Sequence, residues 1–240
     1  MRHIITIAVS SLALSCGGAK YDYAGYQTYK YFPLDGKTRA WEYYSDDSSY
    51  LLQVDMLDPQ ELAGSTSIAT LEYAQMAPYK LLWSIKWSSD SSDGIRIHGY
   101  LMEGTMDDPD EGDDTGGAGD DTGGAGDDTG GPEVNVELGT WVSFDPPIQF
   151  SEYQMAPGDS VTTSTGGISF TSTLVSVEKC PNNWVPDPWD CLVFSLDGPS
   201  DLPFVGSWSL ATDWGTSQFQ PSLKSGTPWV LTDAGITWEE

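Results

Sequence analysis

Basic residues are scarce in this chain: 10 Lys and Arg stand against 36 Asp and Glu, a formal net charge of −26. A field of that sign repels the phosphates of nucleic acids and anionic lipid surfaces, so nucleic acid is not a partner to expect. Histidine is scarcer still. Of the 2 present, His3 lies at the extreme N-terminus and His98 in IRIHGYL, which excludes histidine-rich zinc sites and leaves one candidate for a Ser-His-Asp relay. No G-x-S-x-G elbow accompanies His98, and GGAG lacks the Lys and the strand-to-helix setting of a phosphate cradle. His98 therefore reads as a surface or cross-strand histidine. Helical i, i+3, i+4 periodicity is missing too, with only Asp58 to Ala63 suited to a short helix. No cofactor is implied by anything in the sequence.

The N-terminus MRHIITIAVSSLALSCGG has the form of an export signal: Arg2, an apolar run from Ile4 to Leu14, then small residues and a cysteine. The run is about half the roughly 20 residues that a spanning helix needs, so cleavage is expected rather than anchoring by a helix. Ala13-Leu14-Ser15-Cys16 resembles the lipobox of bacterial lipoproteins, in which the cysteine is lipidated and becomes the first residue of the mature chain. The resemblance implies a signal peptide over residues 1–15, lipidation at Cys16 and a membrane tether over 16–28. Gly17, in place of an Asp, implies the outer membrane, at its periplasmic face or at the cell surface. Ordinary secretion, with cleavage after Ala19, is the alternative.

Two cysteines remain, Cys180 and Cys191, and two thiols in an exported chain make one disulfide. They flank CPNNWVPDPWDC, whose three prolines exclude a helix or a central strand. Trp184 and Trp189 lie in this loop beside Asn and Asp. An exposed Trp with a polar rim suits contact with a glycan or an envelope protein, whereas the same rings folded back would form a lid over the core.

Strand signals fill the rest. LLWSIKW places Leu81, Trp83, Ile85 and Trp87 on one face, and IRIHGYL sets Arg96, His98 and Tyr100 opposite its apolar residues. SSDSSDG between them makes the pair a hairpin. YKYFPL, TRAWEYYS, YLLQVDM, SIATLEY, ISFTSTLVSVEK, CLVFSLD and FVGSWSLATDW supply further aromatic and β-branched segments of strand length. The class expected is all-β, an antiparallel sandwich or partly closed barrel. Residues 29–106 and 132–240 read as a single β-rich domain, with two small β domains as the alternative, because VNVELGTWVSFDPPIQF resumes strand chemistry at once. YFPLDGKTRAWEY, with MAPGDSVTT further on, resembles the F-P-L, Gly, Trp, Tyr opening and later P-G-D of uncharacterised bacterial lipoproteins. That resemblance implies a β-rich domain and no particular chemistry.

Between the two parts, residues 107–131 hold 10 acidic residues, no basic ones and the repeat DDTGGAGDDTGGAGDDTGG. Glycine fills three of the seven places and no apolar residue occupies two of them, so a coiled coil is excluded, and neither the EF-hand spacing nor the calcium nonapeptide pattern is met. Such a composition cannot recover its ordering entropy, and a disordered acidic loop is expected. Asp113, Asp114, Asp120, Asp121, Asp127 and Asp128 could condense divalent cations weakly without a defined metal site.

Carboxylates are the one catalytic ingredient in surplus. Asp187, Asp190, Asp197 and Asp201 cluster in sequence, and a glycoside hydrolase needs only two at the right separation. The sequence thus points to a lipid-anchored envelope protein with a non-enzymatic binding or structural role, against the alternative of a carbohydrate-active hydrolase using an Asp/Glu pair.

Overall fold

A computed structural model describes residues 25–32, 38–48, 50–62, 66–76, 78–103, 138–180, 190–223 and 226–237. In order along the chain, its strands are β1 (Tyr26–Gln27), β2 (Thr38–Tyr44), β3 (Leu52–Leu62), β4 (Thr66–Gln75), β5 (Lys80–Asp90), β6 (Gly94–Met102) and β7 (Trp141–Ser151). They continue with β8 (Gln154–Met155), β9 (Ser160–Thr165), β10 (Ile168–Lys179), β11 (Asp190–Asp197), β12 (Gly206–Ala211), β13 (Gly215–Pro221) and β14 (Trp229–Thr237). The fold is all-β. One antiparallel sheet of 12 strands runs in the order β7-β6-β5-β4-β3-β2-β14-β13-β12-β11-β10-β9, and β1 pairs with β8 in a small ladder of its own.

Two six-stranded meanders are thus joined where the first long strand meets the last, β2 against β14. The sheet curls until its edges, β7 and β9, come together, and the barrel is nearly closed. A round barrel of 12 strands would enclose more space than side chains can fill, since eight already enclose just enough. The aromatic residues show how the space is removed. Trp87 on β5 meets Trp208 on β12 at 5.7 Å, Tyr73 on β4 meets Phe219 on β13 at 5.8 Å, and Phe150 on β7 meets Phe194 on β11 at 5.0 Å. The first meander lies on the second as the two layers of a flattened barrel. Large rings span the gap between them.

Alternation decides which residues enter this core, and bulges decide where alternation breaks. On β3, Leu52, Val54 and Met56 are buried while Gln53 and Asp55 face out and bond each other. On β5 the register against β4 passes from Trp83 to Leu81, so Leu82 is the inserted residue and is buried in place of Leu81. On β6 the inserted residue is His98, between Ile97 and Gly99. The shift turns Tyr100 into the core, against the face expected from simple alternation. Gly99 permits it, because a Cβ there would lie 2.5 Å from the carbonyl oxygen of Val142.

Two segments differ from their sequence reading. YKYFPL begins as a 3-10 turn over Thr28–Tyr31 rather than a strand. Asp58 to Leu62 continues β3, with a register shift between Leu57 and Gln60, where a short helix was expected. β4 supplies the backbone partners there, and pairing overrides a weak local preference.

The segment between residues 103 and 138 joins β6 to β7, which are hydrogen-bonded neighbours. The repeat aspartates and Cys16 lie outside the described residues. Cys180 and Cys191 form a disulfide with an S–S distance of 2.11 Å, at the end where Glu178 of β10 pairs with Cys191 of β11. Closing a loop of this length stabilises a fold by about 3 kcal/mol on the chain-entropy model. Urea unfolding with and without a thiol reductant should show that loss, and the double variant Cys180→Ala/Cys191→Ala should reproduce it and become insensitive to reductant.

Candidate functional site

Pro146 and Pro147 explain why the barrel stops short of full closure. Proline has no N–H to give a ladder, and sheets confine it to edges and bulges. Opposite Ile97 to Gly99 of β6, β7 spends the extra residues from Phe144 to Pro147, which interrupt the ladder. On its other side, the next residue but one reaches β9 through a side chain: the Gln149 N–H donates to Thr163 Oγ1 at 3.0 Å. A hydroxyl therefore stands where a backbone carbonyl would complete the barrel.

A cleft of about 900 Å³ opens along this seam. Pro146, Pro147 and Gln149 of β7 line one wall and Val161, Thr162, Thr163 and Ser164 of β9 the other, with Ser92, Asp93 and Arg96 at one end and Glu152, Tyr153 and Gln154 closing it. Amide, hydroxyl and carboxylate groups share the lining with apolar surface, the proline rings included.

The wall is braced by one side chain above all. Gln149 Oε1 accepts from Arg96 Nε at 2.9 Å, and Gln149 Nε2 donates to the carbonyls of Asp93 (2.5 Å) and Ser151 (2.6 Å). Both of its amide protons are used. Arg96 also pairs with Asp93 at 3.0 Å. Behind them Ser151 Oγ donates to Thr28 Oγ1, Thr28 Oγ1 donates to the Glu152 carbonyl at 2.6 Å, and the Thr28 N–H reaches the Tyr153 carbonyl. The turn between β5 and β6 is fixed by Asp90, whose carboxylate accepts from the Ser92 hydroxyl and from the N–H groups of Ser92 and Asp93. Partial burial opposes its ionisation, but these bonds and the Arg96 charge prevail and hold it below the usual carboxylate range. Gly94 follows with φ of 81°, and a Cβ there would sit 2.3 Å from the Ser151 carbonyl oxygen. Only glycine lets the turn approach the cleft so closely.

His98 sits beside this site, not in it. Its Nε2 shares a hydrogen bond of 2.7 Å with Ser88 Oγ across the β5–β6 pair, the cross-strand placement expected. Burial, then the charges of Arg96 and Lys86, push its pKa below the usual histidine value. Lys86 itself is held over the Trp141 ring at 5.1 Å.

The acidic residues singled out in sequence do not converge on the cleft. Asp190 pairs with Lys179 at 2.7 Å, and Asp197 stands at the other end of β11. Strands rise about 3.3 Å per residue, so those two are some 23 Å apart and cannot act on one bond. Asp201 lies near the Asp197 end, beside Tyr100. Asp187, Trp184 and Trp189 lie outside the described residues. Among the described residues no group of three or more His, Cys, Asp or Glu side chains could hold a metal ion, and no helix is long and apolar enough to cross a membrane. The groove residues were not foreseen; the one available signal was D-P-P inside an otherwise good strand.

Comparison with protein-family models, with curated proteins and with solved structures finds no match.

The histidine gives a test of this neighbourhood. A group whose folded pKa lies below its unfolded one binds fewer protons folded, so stability is full above pH 6.5 and is lost as pH falls toward the folded value. Chemical denaturation between pH 7.5 and 5.5 should show stability decreasing on acidification, and His98→Gln should flatten that slope. A titration midpoint of the His98 ring at or above 6.5, read by NMR, would contradict the assignment.

Proposed function

We propose that this chain is a non-enzymatic binding protein of a bacterial cell envelope, held at the outer membrane by a lipid on Cys16, with the seam cleft as its ligand site. The observation that carries the reading is the cleft at the unladdered β7/β9 edge, mixed polar and apolar in lining and fixed by the Gln149 network. Groups arranged in advance cost little to order when a ligand arrives, and ligand sites concentrate where a sheet is interrupted and concave. Among the described residues the one histidine, His98, bonds Ser88 on the adjoining face and supplies no base to the cleft. The lipobox-like Ala13-Leu14-Ser15-Cys16 supplies the anchor, and the strong negative charge argues against a lipid-surface or nucleic-acid ligand.

Expression in a Gram-negative host should give a mature N-terminus at Cys16 whose mass includes the acyl groups, sedimenting with outer membranes. Cys16→Ser should leave a soluble chain. An unlipidated N-terminus following Ala19 would return the secreted alternative. For the cleft, chemical-shift changes on titration with a solubilised envelope fraction should concentrate at Arg96, Gln149, Tyr153 and Thr162 to Ser164 and disappear in Thr162→Arg, which fills the groove from an exposed position. Changes that survive that substitution, or that spread over the outer faces, would remove the cleft from the proposal.

A further inference from the structure

The geometry points to a flap at one end of the seam cleft, made of the N-terminal strap, residues 25–29, and the end wall Glu152–Met155, which lifts as a unit while the barrel stays folded. The inference rests on the cleft being the binding site and adds how that site is opened and closed. Glu152, Tyr153 and Gln154 line the cleft, so lifting the flap lengthens it at that end.

Strap and wall are one body because every strap residue holds the wall. The Gly25 carbonyl accepts from Gln154 Nε2 at 3.0 Å, Tyr26 and Gln27 ladder with Met155 and Gln154, and Gln27 Nε2 donates to the Tyr153 hydroxyl at 2.8 Å. Thr28 donates its N–H to the Tyr153 carbonyl and its hydroxyl to the Glu152 carbonyl, and the Tyr29 ring stacks on Tyr153 at 5.8 Å. The backbones themselves touch: a Cβ on Gly25 would lie 2.9 Å from the carbonyl of Met155.

The attachment of this body to the barrel is of another kind. The wall belongs to the crossing from β7 to β9, and the two halves of that crossing are fastened differently. Ala156 to Asp159 are tied to β10, since the Gly158 N–H donates to the Leu174 carbonyl and the Leu174 N–H to that of Asp159. Among the described residues Gln154 and Met155 pair with β1 alone, in a ladder of two residue pairs separate from the 12-stranded sheet. Lifting the flap therefore breaks no ladder of the large sheet. What it breaks is a latch, the 2.9 Å bond from Ser151 Oγ to Thr28 Oγ1, together with the 3.4 Å bond from Ser89 Oγ to the Tyr29 carbonyl and the burial of Thr28 and Met155. A bond between hydroxyls gains little over the bonds that each gives up to water, so the latch closes the flap without fixing it. The pivot is firm, because the Lys30 carbonyl accepts from the Asp213 N–H and the Phe32 ring packs on Trp87 at 5.0 Å.

The strap is also where the chain would feel its anchor. With a lipid on Cys16, the nine residues that lead to Gly25 reach at most about 30 Å. A load between membrane and barrel then acts on the strap before any strand of the sheet.

Native-state hydrogen exchange of the full mature chain, read by NMR in sub-denaturing urea, tests the flap. The amides of Thr28 and of the β1–β8 pairs should exchange through one common opening with a shallow urea dependence, and with protection at least about tenfold below that of β10 to β12, which open only by global unfolding. The double variant Thr28→Cys/Ser151→Cys, oxidised, should bolt the latch and raise these amides to the protection of the sheet. Strap and wall amides that exchange only by global unfolding in the unmodified chain would overturn the flap. So would strap amides that open while those of β8 stay protected, or a common opening that survives the oxidised bolt. No ligand enters these measurements, so a failed flap leaves the cleft titration proposed above standing, and a failed titration leaves the flap as measured.

Discussion

The ladder between β2 and β14 is the constraint on which the rest of the structure depends. These are the first and last long strands, and they pair from Thr38↔Thr237 to Tyr44↔Val230. Each meander could form its hairpins locally, but only this long-range pairing places one on the other. Once the ends are joined, an even number of antiparallel strands can close, and the discontinuity must fall in the middle of the chain. The loss of freedom in joining such distant segments grows only slowly with their separation, so the ladder and the rings behind it can offset it. Trp208 shows what those rings add. It stacks on Phe219 at 5.1 Å, meets Trp87 and Phe150 edge-on, and its indole N–H donates to the Phe204 carbonyl, so one side chain joins three strands and a loop.

With the ends paired, the mid-chain seam becomes the place where sequence acts most directly on architecture. Pro147 cannot donate, β7 carries its extra residues against β6 at the same point, and the Gln149 N–H meets β9 at the Thr163 hydroxyl. Two residues thus create an edge, a gap and a wall at once. Gaps of this kind are a hazard unless filled or guarded, and here the guard is one-sided. Behind the seam the buried hydroxyls of Thr28 and Ser151 bond each other and tie β7 to the 3-10 turn.

How much of this was legible in sequence differs by feature. Period-two alternation correctly placed Trp83, Ile85 and Trp87 inside, because a half-buried strand leaves no other arrangement. It failed at Leu82 and Tyr100, where an inserted residue reverses the phase. Bulges are fixed by what the partner strand does, and a single segment does not carry that information. The disulfide could be read because two thiols allow one pairing. The cleft could not, since its walls come from segments as distant as Ser92 and Ser164 and none has an unusual composition. D-P-P in VSFDPPIQF was the exception: it marks an edge strand on physical grounds, though not what the edge encloses. The loop tryptophans and the aspartate repeat, which draw attention first, lie outside the described residues.

The cleft is also where a very acidic chain places one of its few cations, and the placement tells what kind of site it is. Arg96 bonds both Gln149 and Asp93, so its charge is largely neutralised by its own neighbours. An arginine meant to capture an anion would be left with its fork open to the cleft. Here the guanidinium instead orients the Gln149 amide, whose protons in turn fix the carbonyls of Asp93 and Ser151. The result is a wall of polar groups that satisfy one another. On the binding role proposed above, a ligand would meet no rearrangement at this wall, and the ordering cost would fall on the ligand.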